Sequence, residues 1–293
     1  MSQISNLSAN AIGLLMSVLV LSTVVTRLAA QDQPSEARSN QQPEALMSQA
    51  QDQQSTATTN VPAWTYGGFA DLGYLRDFND PANHLFRSRG TTFHVNEFDL
   101  NMTAVYLKKV SAESSPWGTE LTFQTGKDSE AFGYSATAPN LGGSKWLRHL
   151  GPTNVSYLMP VGKGLTLQGG IFSSFIGYDS LYAKDNFTYT RPWGADFTPY
   201  LMMGLNAQYP FTPTLTGAVF LVNGYWHLAH ANNVPSSGGQ LAYKPTNQTT
   251  LKQTVLYGPH QSNTSLEFWR VLSDTSVELK HKQFTGERNT VVS

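Results

Sequence analysis

Three carboxylates on two strand-like segments are the residues of this chain that could carry chemistry. Glu97 and Asp99 are two positions apart in "FHVNEFDLNM", and Glu120 lies in "ELTFQ". Residues two apart on a strand point to one face about 7 Å apart, which suits the acid and base of a glycosidase. The same carboxylates would equally form part of the polar wall of a water-filled barrel. The sequence favours a role in the polar wall of a barrel, so we predict no catalytic residue and no enzymatic activity.

Other polar groups in the sequence are explained more simply by a structural role than by ligand binding. His227 and His230 in "WHLAH" lack a nearby carboxylate that would complete a metal set. Asp77, Asn79 and Asp80 in "DFND" offer oxygen ligands for Ca²⁺ but fit a turn more simply. The glycines of "GKGLTLQGG" are followed by strand alternation rather than a helix, so this is not a nucleotide loop. We therefore expect neither a metal site nor a cofactor.

Composition narrows the class of protein. The chain has 293 residues, of which only 13% are charged, and its formal net charge is −1. A nucleic-acid partner would need a basic face, so none is predicted. There are no cysteines, which excludes disulfides and thiolate metal sites.

The N-terminal region has the composition of an exported protein. Residues 11–25 are an uncharged apolar run followed by "RLAAQ". That run is short for a membrane helix and is typical of a signal peptide, predicted over residues 1–30, with a signal anchor as the alternative. Residues 31–63 contain eight glutamines and no aromatic residue. A segment of this kind cannot bury enough apolar area to fold, which predicts a disordered spacer.

From Trp64 onward the pattern predicts strands and no amphipathic helix. The connections between them alternate between brief turns such as "VGKG" and "PFTP" and long loops at 77–91, 126–152, 176–198 and 226–238. Short turns at one end and long loops at the other are typical of an outer-membrane barrel. We therefore predict an all-β fold, an antiparallel transmembrane β-barrel of about 10–12 strands. It would span residues 64–284 and be followed by a polar tail at 285–293.

Alternation within the strands predicts which side chains face water. Charge facing lipid costs roughly 2–4 kcal/mol for Lys or Arg at mid-bilayer, so polar positions should face the lumen. The predicted pore-lining residues are Glu97, Asp99, Asn101, Glu120, Gln124, Gln168, Asn206, Gln208 and Lys252. Three loop residues are predicted to narrow the mouth: Arg87, Arg191 and Asp196.

Aromatic residues and one unusual strand complete the pattern. A set of aromatics near strand ends is predicted to form interfacial girdles: Trp64, Tyr66, Tyr106, Trp117, Tyr157, Tyr200, Tyr209, Tyr225, Trp226 and Tyr257.

The segment 215–223, "LTGAVFLVN", is apolar on both faces. A strand of that kind indicates a plugged lumen or a contact between subunits.

Several segments together resemble a known family. "YGGFADLGYLRDFNDPANHLFR" (66–87), "YLMPVGKGLTLQGGIFSSFIGYD" (157–179) and "PYLMMGLNAQYPFTPTLTGAVFLVNGYW" (199–226) resemble the OmpL-like β-barrel porins of bacterial outer membranes. The resemblance runs in matching order from about Tyr66 to Lys282. It implies solute passage and supplies no catalytic residues. Such barrels are expected to end on an aromatic-ended strand, whereas this chain ends "KQFTGERNTVVS", which favours a C-terminally truncated copy.

The function expected from these features is passive transport. Small hydrophilic solutes would diffuse through a polar lumen in the outer membrane of a Gram-negative bacterium, with outer-membrane lipid as the other partner and oligomerisation left open. Two alternatives remain. One is an exported soluble β-sandwich that binds or cleaves polysaccharide, and the other is a structural barrel that does not conduct.

Overall fold

A computed structural model describes residues 64–86, 89–130, 144–225, 228, 234–259, 269–281 and 284–292. The expected signal peptide (1–30) and spacer (31–63) lie outside the described residues, so both stay predictions.

The described residues form eleven strands in one antiparallel sheet, in the order of the sequence from β1 to β11. The strands are β1 (Trp64–Tyr74), β2 (Phe98–Lys109), β3 (Trp117–Thr125), β4 (Leu150–Met159), β5 (Leu165–Ser173), β6 (Leu201–Thr212), β7 (Leu215–Val222), β8 (Ser236–Thr246), β9 (Thr249–Pro259), β10 (Trp269–His281) and β11 (Phe284–Val292). One sheet of this size confirms the expected all-β fold with 10–12 strands. It does not match the two packed sheets of a sandwich.

Helical structure in the described residues is confined to the connections. It consists of one α-helical turn, α1 (Ser144–Leu147), and 3₁₀ turns at Lys127–Ser129, Ala183–Asp185 and Trp193–Phe197. No helix among these residues has the length and apolar character needed to cross a membrane.

Connection length alternates strictly along the sheet, as the sequence predicted. Long connections cover 75–97, 126–149, 174–200, 223–235 and 260–268. Short ones cover 110–116, 160–164, 213–214, 247–248 and 282–283. Because each antiparallel strand reverses direction, all long loops emerge at one end of the sheet, called here the long-loop end.

The two faces of the sheet differ in chemistry. One face carries exposed large apolar side chains on strand after strand, among them Leu72, Phe98, Val155, Leu205, Val219, Leu241 and Val271. Soluble proteins rarely expose a contiguous apolar surface of this extent, whereas lipid requires one. We call this the outer face. The opposite, inner face is mostly polar and is covered in part by loop 174–200.

A β-bulge at Asn101 changes the face assignment predicted for β2. Asp71 pairs with Met102, while the adjacent Leu72 pairs with Leu100, so Asn101 is an extra residue in β2. A bulge reverses the side-chain alternation beyond it. In an unbroken strand, Val105 would share a face with Asp99 and Asn101. The bulge instead leaves Val105 exposed on the outer face, and Met102 is fully buried.

The C-terminal strands also differ from the sequence prediction. β10 continues without a break from Trp269 to His281. The next strand begins at Phe284. Residues 285–292 of the expected polar tail (285–293) instead belong to β11, which pairs with β10 over nine positions from Phe284 to Val292. Polar residues can occupy a strand when one of its faces meets water.

The predicted aromatic girdle is only partly present. Trp64, Tyr66, Trp117, Tyr157 and Tyr257 are exposed, as a girdle requires. Two members of the predicted set are instead buried in apolar clusters beneath the long loops, namely Tyr200 and Tyr225. Trp226 lies outside the described residues.

The bulge gives a testable prediction, because the chain has no native cysteine to interfere with labelling. In membranes, Val105→Cys should react with a lipid-soluble maleimide at least about tenfold faster than with a charged one, since its side chain faces apolar surroundings. Labelling is measured by the mass shift of the protein.

The neighbouring strand supplies matched controls. Leu121→Cys lies on the outer face and should behave like Val105→Cys, whereas Glu120→Cys on the inner face should prefer the charged reagent. If Val105→Cys behaves like Glu120→Cys, then β2 has no bulge in the membrane.

Candidate functional site

One long loop runs across the inner face of the sheet and defines the candidate site. This crossing loop, residues 174–200, connects neighbouring strands β5 and β6, yet its partners lie on distant strands. The backbone oxygen of Phe175 accepts hydrogen bonds from the Gln240 side chain of β8 at 2.7 Å and from the Thr254 hydroxyl of β9 at 2.9 Å. The loop therefore lies over the inner face rather than extending away from the sheet.

The two flanks of the crossing loop are held by strands at opposite sides of the sheet. Toward β10, the Gly177 amide donates to Asp274 at 2.8 Å, and the Tyr178 hydroxyl donates to Glu278 at 3.1 Å. Toward β1, the Tyr189 hydroxyl donates to Asp71 at 2.8 Å. These charge-assisted hydrogen bonds are stronger than neutral ones, so the loop is fixed at both sides.

Tyr189 joins β1 and β2 through a single hydroxyl. It accepts a hydrogen bond from the Asn101 side chain at 2.7 Å while donating to Asp71. Burial raises the pKa of Tyr189 to about 12. The phenol therefore stays protonated, and a donor to Asp71, across the physiological pH range. The bulge at Asn101 thus supplies the second partner of the loop tyrosine.

A buried ion pair anchors the C-terminal part of the crossing loop. Arg191 is 1% exposed and donates to the Asp128 carboxylate at 3.0 Å, and Asp128 is fully buried. Arg191 also donates to the Thr92 hydroxyl at 3.0 Å and to the Leu181 carbonyl. The other Asp128 oxygen accepts the Thr92 amide at 2.6 Å. Three of the long loops are therefore joined at this one point.

Burial raises the pKa of the Asp128 carboxyl, and the guanidinium of Arg191 opposes that shift. Because both carboxylate oxygens accept hydrogen bonds, the charged form is well satisfied despite its depth. Burial likewise raises the pKa of Asp179 and of Asp196, which lie on the crossing loop. The loop thus keeps several acidic groups out of bulk water.

An apolar contact holds the N-terminal part of the crossing loop. Phe175 stacks on Phe220 of β7 with ring centroids 4.9 Å apart and planes at 3°. Ile176 belongs to the same buried cluster, together with Phe172 and Leu256. The inner side of β7 is therefore apolar because it packs against the loop, while its other side faces outward. This accounts for the doubly apolar segment 215–223.

A ladder of amide side chains lines the middle of the inner face. Gln168 donates to Asn154 at 2.8 Å, Asn206 donates to Gln168 at 2.9 Å, and Gln208 donates to Asn206 at 3.1 Å. The ladder crosses β4, β5 and β6 without a net charge. Each amide orients the next, so this part of the wall is polar and ordered.

A cavity of about 70 Å³ lies between the crossing loop and the strands. Its lining includes Tyr178, Asp179, Gln208, Gln240 and Lys252. That volume accommodates a few water molecules, since one needs about 10–15 Å³ on this measure. The space beside the loop is small, and its lining combines these polar side chains with apolar ones such as Ile176 and Leu201.

Most of the predicted pore-lining residues lie on the inner face. Gln124 accepts the hydroxyl of Tyr182 at 2.8 Å, and Glu120 shares its side of β3. Asp99 pairs with Gly73 beside the Tyr189 contact. Glu97, however, precedes β2 in the long loop 75–97. It contacts His94 at 2.6 Å, a grouping that the sequence analysis did not anticipate.

Of the three predicted mouth residues, Arg191 has a different position from the one expected. Arg191 does not project into the mouth, because it is buried in the ion pair with Asp128. Asp196 lies 3.7 Å from Arg89 at the base of the same loop. Arg87, His227 and His230 lie outside the described residues.

Sequence reasoning missed the residues that fix the loop. Asp71 follows the strand alternation and could have been found by it. Asp128 and Tyr189 lie in loops, where no periodicity indicates which partner a side chain meets. Their roles depend on contacts across 63 and 118 positions of sequence.

The eleven-stranded meander, its apolar outer face and its polar inner face define an outer-membrane β-barrel type of protein. A family model described as "Putative beta-barrel porin-2, OmpL-like" matches residues 63–288. The chain therefore belongs to this porin family. No curated protein and no solved structure matches it.

The buried ion pair gives a prediction about the crossing loop. Asp128→Ala leaves Arg191 buried without its partner, at a cost of about 3–5 kcal/mol. The loop should therefore detach, and trypsin should cleave after Lys184 at least about tenfold faster than in the parent protein. Cleavage is followed on gels of the protein in detergent.

A second carboxylate provides the control. Glu130 lies 3.6 Å from Arg148, and both side chains are partly exposed. Such a pair contributes little, so Glu130→Ala should be cleaved at the parent rate. Equal cleavage of the Asp128→Ala and Glu130→Ala proteins would contradict the anchoring role of the ion pair.

Proposed function

We propose that the protein is an outer-membrane porin through which small hydrophilic solutes diffuse passively. The observation that carries this proposal is the polar inner face with a loop fixed across it. A loop of this kind narrows a pore while leaving polar walls on either side, which favours size-limited passage of small polar molecules.

Solutes would pass by exchanging part of their hydration for contacts with the wall. The amide ladder of Gln168, Asn206 and Gln208 offers both donors and acceptors, so it suits neutral polar solutes. Charged groups flank the ladder on both sides. The proposed charged lining comprises Glu97, Asp99, Glu120 and Lys252 with the strand carboxylates Asp71, Asp274 and Glu278. Asn101 and Gln124 contribute further amides to the wall, although both also hold loop tyrosines.

Membership of the porin family supports a channel rather than an enzyme, and passive diffusion is the simplest activity consistent with the walls. The proposed location is the outer membrane, reached by way of the predicted signal peptide. The alternation of long and short connections supports an orientation in which the long-loop end faces the exterior.

A non-conducting structural barrel is the second candidate. The apolar contact of Phe175 and Ile176 with the inner side of β7 supports it, because packing of this kind excludes water. The two candidates differ in one measurable respect, since only a porin passes ions.

Planar-bilayer conductance tests the proposal. The parent protein should give stepwise conductance increments, and the Asp128→Ala protein should give larger ones because its loop is released. Insertion is verified separately by a heat-dependent shift on SDS gels. Inserted protein that conducts in neither form would overturn the porin proposal and favour the structural barrel.

Ion selectivity provides a sharper prediction. Lys252 lies on the inner face at the cavity, so Lys252→Gln should increase the permeability ratio of K⁺ to Cl⁻. A unit charge about 6 Å from the ion path in water contributes about 0.7 kcal/mol, which corresponds to about threefold. The ratio is obtained from reversal potentials in a salt gradient.

A lysine in a short turn serves as the matched control. Lys163 donates to the Phe211 carbonyl at 2.7 Å, away from the crossing loop. Lys163→Gln should leave the permeability ratio within the scatter of the parent protein. If both lysine variants shift selectivity equally, Lys252 is not part of the ion path.

A further inference from the structure

Three metal-ligating side chains meet where the first long loop enters β2. The His94 Nδ1 atom lies 2.6 Å from the Glu97 Oε1 atom and 3.3 Å from the Asp99 Oδ2 atom. All three candidate ligand atoms lie within 4.8 Å of one another. One imidazole and two carboxylates therefore converge on one point at the long-loop end.

The backbone around these side chains is held in a defined conformation. Thr92 and Asn96 have positive φ angles of 50° and 61°, which non-glycine residues adopt only when their surroundings impose it. The Asn96 side chain accepts the Asp77 amide at 2.8 Å and donates to the Asp77 carbonyl and the Asp80 carboxylate, both at 3.0 Å. The turn that presents His94 and Glu97 is thus fixed before any ligand arrives.

Asp99 has a carboxylate oxygen that receives no hydrogen bond from the described residues, although the His94 Nδ1 atom lies 3.3 Å from it. Its Oδ2 atom is buried and accepts no hydrogen bond among the described residues, and it is the oxygen directed at His94. A buried carboxylate oxygen without a donor costs free energy. A bound cation would remove that cost, since it would take the place of the missing donor.

The spacing of the ligand atoms fits a small divalent cation. With bonds of about 2.0–2.2 Å, two ligands of a tetrahedral zinc ion are about 3.4 Å apart. The separation of 3.3 Å between His94 and Asp99 already has this value. The separation of 2.6 Å between His94 and Glu97 must widen, and the Glu97 side chain, at 41% exposure, has room to move.

We propose that His94, Glu97 and Asp99 bind a first-row divalent cation, of the class represented by Zn²⁺, at the long-loop end of the inner face. An imidazole nitrogen with two carboxylate oxygens suits such ions better than Mg²⁺ or Ca²⁺, which take oxygen ligands. Three protein ligands leave a coordination position for water or for a donor group of a passing solute. His84 and Lys127 also act electrostatically on Glu97, and Lys127 weakens the attraction for a cation.

Binding of Zn²⁺ alone to the full chain, without a histidine tag, tests this proposal. The folded protein in detergent is titrated by calorimetry at about pH 7.5, where the imidazole is available as a ligand. The parent protein should bind at least one equivalent. His94→Gln should bind one equivalent fewer, and Asp99→Asn should bind that equivalent about tenfold or more weakly.

His149→Gln is the matched control. Its imidazole lies outside the cluster and contacts the Gln124 carbonyl at 3.2 Å, so its loss should leave the stoichiometry unchanged. The proposal is overturned if the parent binds no Zn²⁺, or if the parent, His94→Gln and His149→Gln proteins bind equal amounts. Asp99→Asn preserves side-chain shape, so it decides the question if His94→Gln does not fold.

Discussion

The buried ion pair of Arg191 and Asp128 is the interaction on which the inner architecture depends. Neither charge could remain at that depth alone, because an unpaired buried ion costs several kcal/mol. The guanidinium satisfies its donors with Asp128, Thr92 and two loop carbonyls, and thereby binds three long loops together. The ion pair therefore fixes the crossing loop in one position across the inner face.

A second constraint, the difference between the two faces of the sheet, decides which residues each strand carries. The outer face must satisfy lipid and the inner face must satisfy water, so nearly every strand alternates. β7 departs from this rule only because the crossing loop supplies it with an apolar partner. The same loop leaves polar walls beside itself, so the apolar packing and the amide ladder are two parts of one arrangement.

Strand alternation and connection length are local signals, and they were sufficient to predict the sheet, the long-loop end and most inner-face residues. The bulge at Asn101 was not predictable, because one extra residue does not alter the composition of the strand. It nevertheless moves the Val105 side chain from the inner to the outer face. Composition was also misleading at 285–293, because the polar run "TGERNT" at 285–290 gave no indication of the strand that it helps to form. The partners of Asp128 and Tyr189 depend on long-range packing, which no periodicity records. His94 was overlooked because it lies in a loop beside the strand that carries Asp99.

The hydrogen bonds that hold the crossing loop also affect the order in which the chain folds. Its donors at Gly177 and Tyr178 require acceptors on β10 that are synthesised 97 and 100 positions later, whereas Tyr189 uses an acceptor on β1 made 118 positions earlier. Contacts so distant in sequence pay a large loop-closure entropy. The contacts of Gly177 and Tyr178 therefore form only after β10 has joined the sheet.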